Sequence, residues 1–243
     1  WDLRKAFVCD VIREYAPDVL GVQEACRFQL DEFNNRLPEY GEIGIGRDGG
    51  TLGEYSAILY RKQRFKVDDS GTFWLSDTPE IPSVYWGNHY RRICTWARFT
   101  DKLSARSFYV YNTHLDHRSQ LSREESVQLI MKHIKARAHP DPFILTGDFN
   151  AGEDNPAIGY LKGTVELSGP TPIPVVDSFR VLHPAEQTVG TGNWFQGQMD
   201  GPKIDYIFIT PDTRVLDAAI VRTTRDGRTP SDHFPVTAQL RLE

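Results

Sequence analysis

Five short segments place a polar side chain at the end or start of an apolar run: "VLGVQE" on Glu24, "YVYNTH" on His114, "ILTGDFN" on Asp148 and Asn150, "KIDYIFI" on Asp205, and "SDHFPV" on Asp232 and His233. Asp, Asn and Gly also build turns, and turn chemistry alone explains Asp148, Asn150 or Asp232 taken singly. It gives no reason for a glutamate after an apolar strand, or for a histidine beside the last carboxylate. If these ends converge at one rim of a sheet stack, Glu24, Asp148, Asp205 and Asp232 share a small space. Two like charges about 4 Å apart repel by roughly 4 kcal/mol at an effective dielectric near 20. Shared protons, basic side chains or a hard divalent cation must offset that repulsion. Carboxylate and amide oxygens suit Mg²⁺ or Mn²⁺ rather than Zn²⁺. Such a cation keeps positions open for phosphate oxygens and neutralises charge developing at phosphorus. A carboxylate beside a histidine fixes the ring's tautomer and lets it align or activate water. Phosphoester hydrolysis is the reaction these residue types suit.

The elements that must position these groups follow from patterning. In "LRKAFVCDVIREY", Leu3, Phe7, Val8, Val11, Ile12 and Tyr15 fall on one helical face, and Pro17 stops the helix. "DVLGVQE" is a short strand and "RFQLDEFNNRL" a second helix. From residue 41 to 114 strand-like pieces follow one another: "GEIGIG", "YSAILYR", "GTFWL", "RICTWARF" and "SFYVYNTH". A long helix comes next, with Ser122 and Glu125 matching a capping box and Val127, Ile130, Met131 and Ile134 lining one face. "PFILTG", "KIDYIFIT", "VLDAAIV" and "FPVTAQLRL" are further strands, and "NPAIGYL" is a short helix. No repeat, low-complexity tract or linker divides the chain, so residues 1–243 read as a single domain of mixed α/β class, two packed sheets with helices outside.

Composition narrows the function classes. Hydrophobic residues at 40% and charged residues at 25% fit a soluble globular protein, and no apolar run approaches the roughly 18 residues of a membrane span. A net charge of -5 argues against a protein that wraps long nucleic acid. Cys9, Cys26 and Cys94 are odd in number and lack CxxC spacing, so they read as packed thiols. The chain opens at Trp1 without a charged-plus-apolar leader, and its compartment is left open.

Taken in order, "LGVQE", "RICTWARF", "NTHLDH", "LTGDFN", "IDYIF" and "PSDHFPV" resemble the endonuclease/exonuclease/phosphatase superfamily of metal-dependent phosphoesterases. Within it the chain looks most like uncharacterised bacterial members related to the deadenylase-like branch. The resemblance runs from Trp1 to the C-terminus and implies a four-layer α/β/β/α sandwich, two packed mixed sheets flanked by helices, with the site at one rim. It implies Glu24 as the main metal ligand and Asp232 as a second acid near the metal, Mg²⁺ or Mn²⁺. Asp148 would align the attacking water, Asn150 would bind the phosphoryl group, and Asp205 would orient His233, a general base or phosphate contact. His114 would contact the scissile phosphate and assist the leaving group, and Arg92, with Arg91 as the alternative, would face substrate. Two departures stand out. The family's first strand, with its "FNIR"-like asparagine, is expected to lie outside this sequence. "GDFNAG" lacks the arginine of the inositol 5-phosphatases, and "NTHLDH" has histidine where abasic-site enzymes carry tyrosine.

Aromatic residues flank these motifs. Tyr90, within "VYWGNHYRR", and Trp194, in "TGNWFQG", are expected to contact substrate, whereas Phe73 and Trp74 read as core. His117 in "HLDH" could face substrate, but reads first as a solvated residue on the approach to a helix; His133, His139 and His183 read as residues without a role. The expected function is a divalent-metal-dependent phosphodiesterase on a small or single-stranded nucleotide-like substrate. A phosphomonoesterase on a sugar phosphate or nucleotide is the alternative, and a non-catalytic binding protein of the same fold is a third. The intact set of Asp148, Asn150, Asp205, Asp232 and His233 favours an enzyme.

Overall fold

The first helix, α1 (Lys5–Tyr15), buries Phe7, Cys9, Val11 and Ile12 on one face. It ends where Ala16 turns left-handed ahead of Pro17, whose ring disfavours helix at the preceding residue. Leu3 and Tyr15, at the ends of the expected apolar face, are exposed. In the computed structural model, which describes residues 1–242, β1 (Val19–Ala25), α2 (Arg27–Arg36), β2 (Tyr40–Ile43), β3 (Tyr55–Arg61), β4 (Phe65–Trp74) and β5 (Ile93–Asp101) follow. The second half comprises β6 (Ser107–His114), α3 (Gln120–Lys135), β7 (Phe143–Asp148), α4 (Pro156–Lys162), β8 (Val176–Asp177), α5 (Ser178–Leu182), β9 (Asp205–Ile209), β10 (Arg214–Ile220) and β11 (Val236–Arg241).

One sheet has six strands in the order β4-β5-β6-β7-β9-β8. Its only parallel pair is β6–β7, joined by α3 as the crossover such a pair requires. The facing layer is made of a three-stranded sheet, β1-β3-β2, and a two-stranded sheet, β10-β11. Ile58 of β3 packs with Phe65, Ala97, Phe99, Phe108 and Val110 of β4, β5 and β6 between the layers. Outside the large sheet, Val127, Ile130, Met131 and Ile134 of α3 and Ala157, Ile158 and Leu161 of α4 cover Tyr111, Phe143 and Leu145. Outside the other layer, Cys9 and Ile12 of α1 and Leu30 and Phe33 of α2 cover Ala57 and Leu59. The result is the expected four-layer α/β/β/α arrangement. Burying each of these larger apolar side chains contributes about 1.5–3 kcal/mol.

Two details correct the sequence reading. The long helix starts three residues earlier than a cap at Ser122 implies: Ser119 is its N-cap and accepts a hydrogen bond from Ser122 N at 3.1 Å. Ser119 is preferred because its hydroxyl also donates to Trp86 O at 2.6 Å, whereas Ser122 is buried within the first turn. Secondly, the strand containing "GTFW" begins at Phe65, since Phe65 to Val67 pair with Asp101 to Phe99. The cysteines are free thiols as expected, Cys9 and Cys94 being buried. Among the described residues no helix is long and apolar enough to cross a membrane.

Candidate active site

Strand register sets out the centre of the site. His114, the last residue of β6, pairs with Asp148, the last of β7, and Asp148 pairs in turn with Asp205, the first of β9. Three polar side chains thus stand level at one rim of the large sheet. His114 Nε2 lies 3.5 Å from Asp148 Oδ2, and Asp205 Oδ2 lies 2.9 Å from His233 Nδ1. A carboxylate can only accept, so His233 Nδ1 carries the proton in that bond and Nε2 is left for the cleft that the residue lines.

Local backbone devices aim the other groups. Glu24 has φ 62°, within a break in the β1–β3 register between Val22 and Ala25. A left-handed conformation costs a non-glycine residue about 1–3 kcal/mol, and such a bulge re-aims a side chain. Gln23 anchors it by donating to Asn112 Oδ1 at 2.6 Å, and Asn112 Nδ2 donates to Val22 O and Ala57 O across the two layers. Glu24 Oε1 thereby reaches 4.0 Å from His114 Nε2. After β7 the chain turns at Asn150, φ 48°, whose backbone N–H donates to Asp148 Oδ1 at 2.8 Å and whose Nδ2 donates to Leu115 O at 2.9 Å. Turn chemistry and site geometry are therefore the same feature here. Asp232 is held by its carbonyl, which accepts from Asn193 N at 2.6 Å and Trp194 N at 3.0 Å.

These groups surround a cleft of about 250 Å³. Of the ten expected site residues, Glu24, Tyr90, Arg92, His114, Asp148, Asn150, Trp194, Asp232 and His233 line it, and Asp205 stands behind His233. Arg92 is buried, with Nη2 donating to His117 Nδ1 at 3.1 Å and Nε 3.6 Å from Asp116 Oδ2. Arg91, the alternative, pairs with Asp48 on the surface. Tyr90 and Trp194 are exposed at the cleft, and the guanidinium of Arg47 lies 4.7 Å over the Tyr90 ring. Phe73 and Trp74 are buried, as read from the sequence.

Two lining residues, Arg47 and Glu54, escape the sequence reading, and a third, His117, is one whose facing the sequence leaves open. Arg47 and Glu54 form an ion pair at 2.7 Å across a tight reversal in "GRDGGTLGE", a glycine-rich connection with no apolar pattern to mark it. His117, expected to be solvated, is exposed, and it stands on the cleft wall, where its substrate-facing alternative would put it.

The charges are unequal in their environments. Burial, and then the charge of Asp205, push the Asp148 carboxyl up to about 7. For His233, burial opposes the charged ring, but the Asp205 hydrogen bond and the charges of Asp205, Asp148 and Asp232 prevail and push it up to about 9. Burial, with Arg92 and His233 nearby, holds His114 well below its ordinary value, so its ring is neutral at pH 7. Surrounding protein, then Glu54 and Asp232, raise Glu24. Asp148, Asp205 and His233 bring one ligand atom each within 4.8 Å of one another. Carboxylates and an amide crowd the cleft and no cysteine lines it, so the donors fit a hard divalent cation.

Comparisons with known proteins agree with this architecture. A sequence model described as the Endonuclease/Exonuclease/phosphatase family matches residues 1–233. A mannosyl-6-phosphatase of Bacteroides thetaiotaomicron is 32% identical and superposes with a TM-score of 0.88 over 100% of this chain and 92% of that one. An endonuclease/exonuclease/phosphatase of Bacteroides vulgatus is 34% identical, with a TM-score of 0.89 over the same shares. Nocturnin of Drosophila melanogaster is 25% identical over 100% of this chain, and an uncharacterized mimivirus protein, L388, is 28% identical over 63% of it. The chain spans 42% of that nocturnin and 60% of L388. With a family match across nearly its whole length and relatives of one third identity superposing throughout, the chain belongs to the endonuclease/exonuclease/phosphatase family.

Proposed function

We propose that the protein is a divalent-metal-dependent phosphomonoesterase acting on a sugar phosphate. The observation that carries this reading is Arg92. Its guanidinium is buried at a small cleft, and its nearest carboxylate, Asp116, stands at 3.6 Å rather than in a bidentate pair. A phosphate monoester bears about −1.5 to −2 charges at pH 7, where a diester bears about one. A fixed cation that is poorly neutralised by the protein is of most use to the doubly charged ester. The relative named as a mannosyl-6-phosphatase supports the same choice, since its likeness covers this whole chain. A net charge of -5 also offers little to a polyanion.

In this mechanism Glu24 and Asp232 would hold Mg²⁺ or Mn²⁺, which when bound would supply a Lewis acid for the phosphoryl oxygens. Asp148, with its carboxyl near neutrality, takes the proton of a water that attacks phosphorus in line. Asn150 Nδ2 has one hydrogen on Leu115 O and a second for a phosphoryl oxygen. His233, charged and held by Asp205, donates from Nε2 and can protonate the departing alkoxide as the phosphorus–oxygen bond breaks. His114 contacts the phosphate as a neutral ring. A second reading, hydrolysis of a nucleotide-like diester, is favoured by exposed Trp194 and Tyr90, whose faces could stack a base.

The test is turnover with Mg²⁺ or Mn²⁺ of a hexose phosphate, an aryl phosphomonoester, an aryl phosphodiester and a short single-stranded oligonucleotide. The monoesters should be hydrolysed faster, and chelation should stop both. Turnover confined to the diester and the oligonucleotide would replace the first reading with the second; turnover that survives chelator would remove the metal from both.

A further inference from the structure

The contacts of His117 pose a problem in hydrogen bonding. Arg92 Nη2 lies 3.1 Å from its Nδ1, and Arg118 Nε lies 3.1 Å from its Nε2. Guanidinium nitrogens only donate, whereas a neutral imidazole has a single acceptor nitrogen and a charged one has none. Only one of the two contacts can therefore be a hydrogen bond. Arg92 is buried, so losing its partner leaves a desolvated donor, whereas Arg118 is exposed and can turn to water. The bond to Arg92 prevails. Nδ1 is then the acceptor, and Nε2 carries the hydrogen.

Asp116 stiffens the arrangement from behind. Its side chain is wholly buried, Oδ1 accepts from the backbone N–H groups of Arg118 at 2.9 Å and Ser119 at 2.8 Å, and Oδ2 faces Arg92 Nε. The backbone that follows His117 is thereby pinned just ahead of α3. Burial and the charge of Arg92 also lower His117 below its ordinary value, in keeping with a neutral ring. The ring is exposed on the wall of the same cleft as His114 and Asp148.

We propose that His117 is a substrate-binding residue whose Nε2–H, fixed by Arg92 on the opposite nitrogen and freed when Arg118 turns away, donates to an acceptor oxygen of the bound phosphoester. That oxygen belongs either to the phosphate or to a hydroxyl of the leaving group. The proposal rests on the cleft being the phosphoester site, but on neither ester class in particular.

The experiment measures kcat and KM for wild type, His117→Ala, His117→Gln and Arg118→Ala, with Mg²⁺, on a hexose phosphate and an aryl phosphomonoester. His117→Ala should raise KM about tenfold, the worth of one well-placed hydrogen bond, with kcat nearly unchanged. His117→Gln, which keeps a donor N–H, should recover most of the loss, and Arg118→Ala should not raise KM. A rise on both substrates assigns the oxygen to the phosphate; a rise on the hexose phosphate alone assigns it to the leaving group. No rise on either, a Gln variant as impaired as the Ala variant, or an equal rise in Arg118→Ala would overturn the proposal. If wild type hydrolyses only diesters, the monoester reading fails, and the same variants are compared on an aryl diester and a dinucleotide. If it hydrolyses no ester, calorimetry with orthophosphate and with the hexose phosphate decides: weaker binding of either by His117→Ala supports the proposal and unchanged binding of both ends it.

Discussion

At the scale of single residues, the two protonation states that the site separates make the sharpest predictions. Asp148 and Asp205 are neighbours across a ladder and His233 bonds one of them, so the trio holds a shared proton load that no member would carry alone. Removing the proposed base by Asp148→Asn, or the proposed acid by His233→Ala, should lower kcat by about 10²–10⁴. Asp69→Ala, on the exposed face of β4, should leave it unchanged. Steady-state rates on the best substrate check all three; wild-type rates in either site variant would remove these roles. Glu24→Gln should act differently, raising the cation concentration needed for half-maximal rate, because the bulge aims its carboxylate into the cleft. These residues are legible in the sequence because polar side chains at the ends of apolar strands are conspicuous. Arg47 and Glu54 are not, because their places depend on how a glycine-rich loop folds back over the rim, and the facing of His117 is left open by the sequence because it depends on how the approach to α3 folds over the same rim.

At the scale of elements, the β6–β7 pair determines whether His114 and Asp148 stay level. Gly147, with φ 153°, precedes Asp148, and a Cβ there would lie 2.2 Å from Thr113 O on the neighbouring strand. Gly147→Ala should force the strands apart, costing about 1–3 kcal/mol as over-packing does, and should lower kcat more than its effect on folding explains. Denaturant unfolding and rates on the folded fraction check it, and a variant with wild-type stability would show that the ladder can absorb the methyl group. The identities of α1, α3, α4 and β6 are readable from pattern, since the helices each bury an apolar face and β6 opens on an apolar run buried on both faces, whereas β8 and α5 are too short to show a period. The start of α3 is not readable. Ser119 and Ser122 are both competent caps, and the choice is made by Trp86 O, 33 residues away in sequence. Nor could any local pattern show that Asn112, midway along β6, would join the two layers through Val22 O and Ala57 O.

At the scale of the whole molecule, the site is a cost that the rest of the fold carries, and pH should expose it. The folded state raises Asp148 from an ordinary carboxyl to about 7 and His233 from an ordinary imidazole to about 9. A folded state that binds protons more tightly than the unfolded chain loses stability as pH rises. For Asp148 the loss runs from its unfolded value near 4 up to about 7, and for His233 from near 6.5 up to about 9. Both act in the same direction, whereas burial holds His114, His117 and His133 below their ordinary value, which works the other way up to about pH 6.5; the steady loss of stability in metal-free protein is therefore expected between about pH 7 and 9. Every tenfold gain in proton affinity on folding is worth about 1.4 kcal/mol, and the combined fall should be on the order of a few kcal/mol. A divalent cation held there would replace the missing proton as the counter-charge, so Mg²⁺ or Mn²⁺ should raise Tm more at about pH 8.5 than at about pH 7. Asp148→Asn, which needs neither proton nor cation, should flatten the pH slope and reduce the gain from metal. Thermal unfolding of wild type and variant, with chelator or cation at the two pH values, measures all of this. A metal-free protein equally stable at both would mean that the carboxylates are relieved by water rather than by protons, and would take Asp148 out of the role of base.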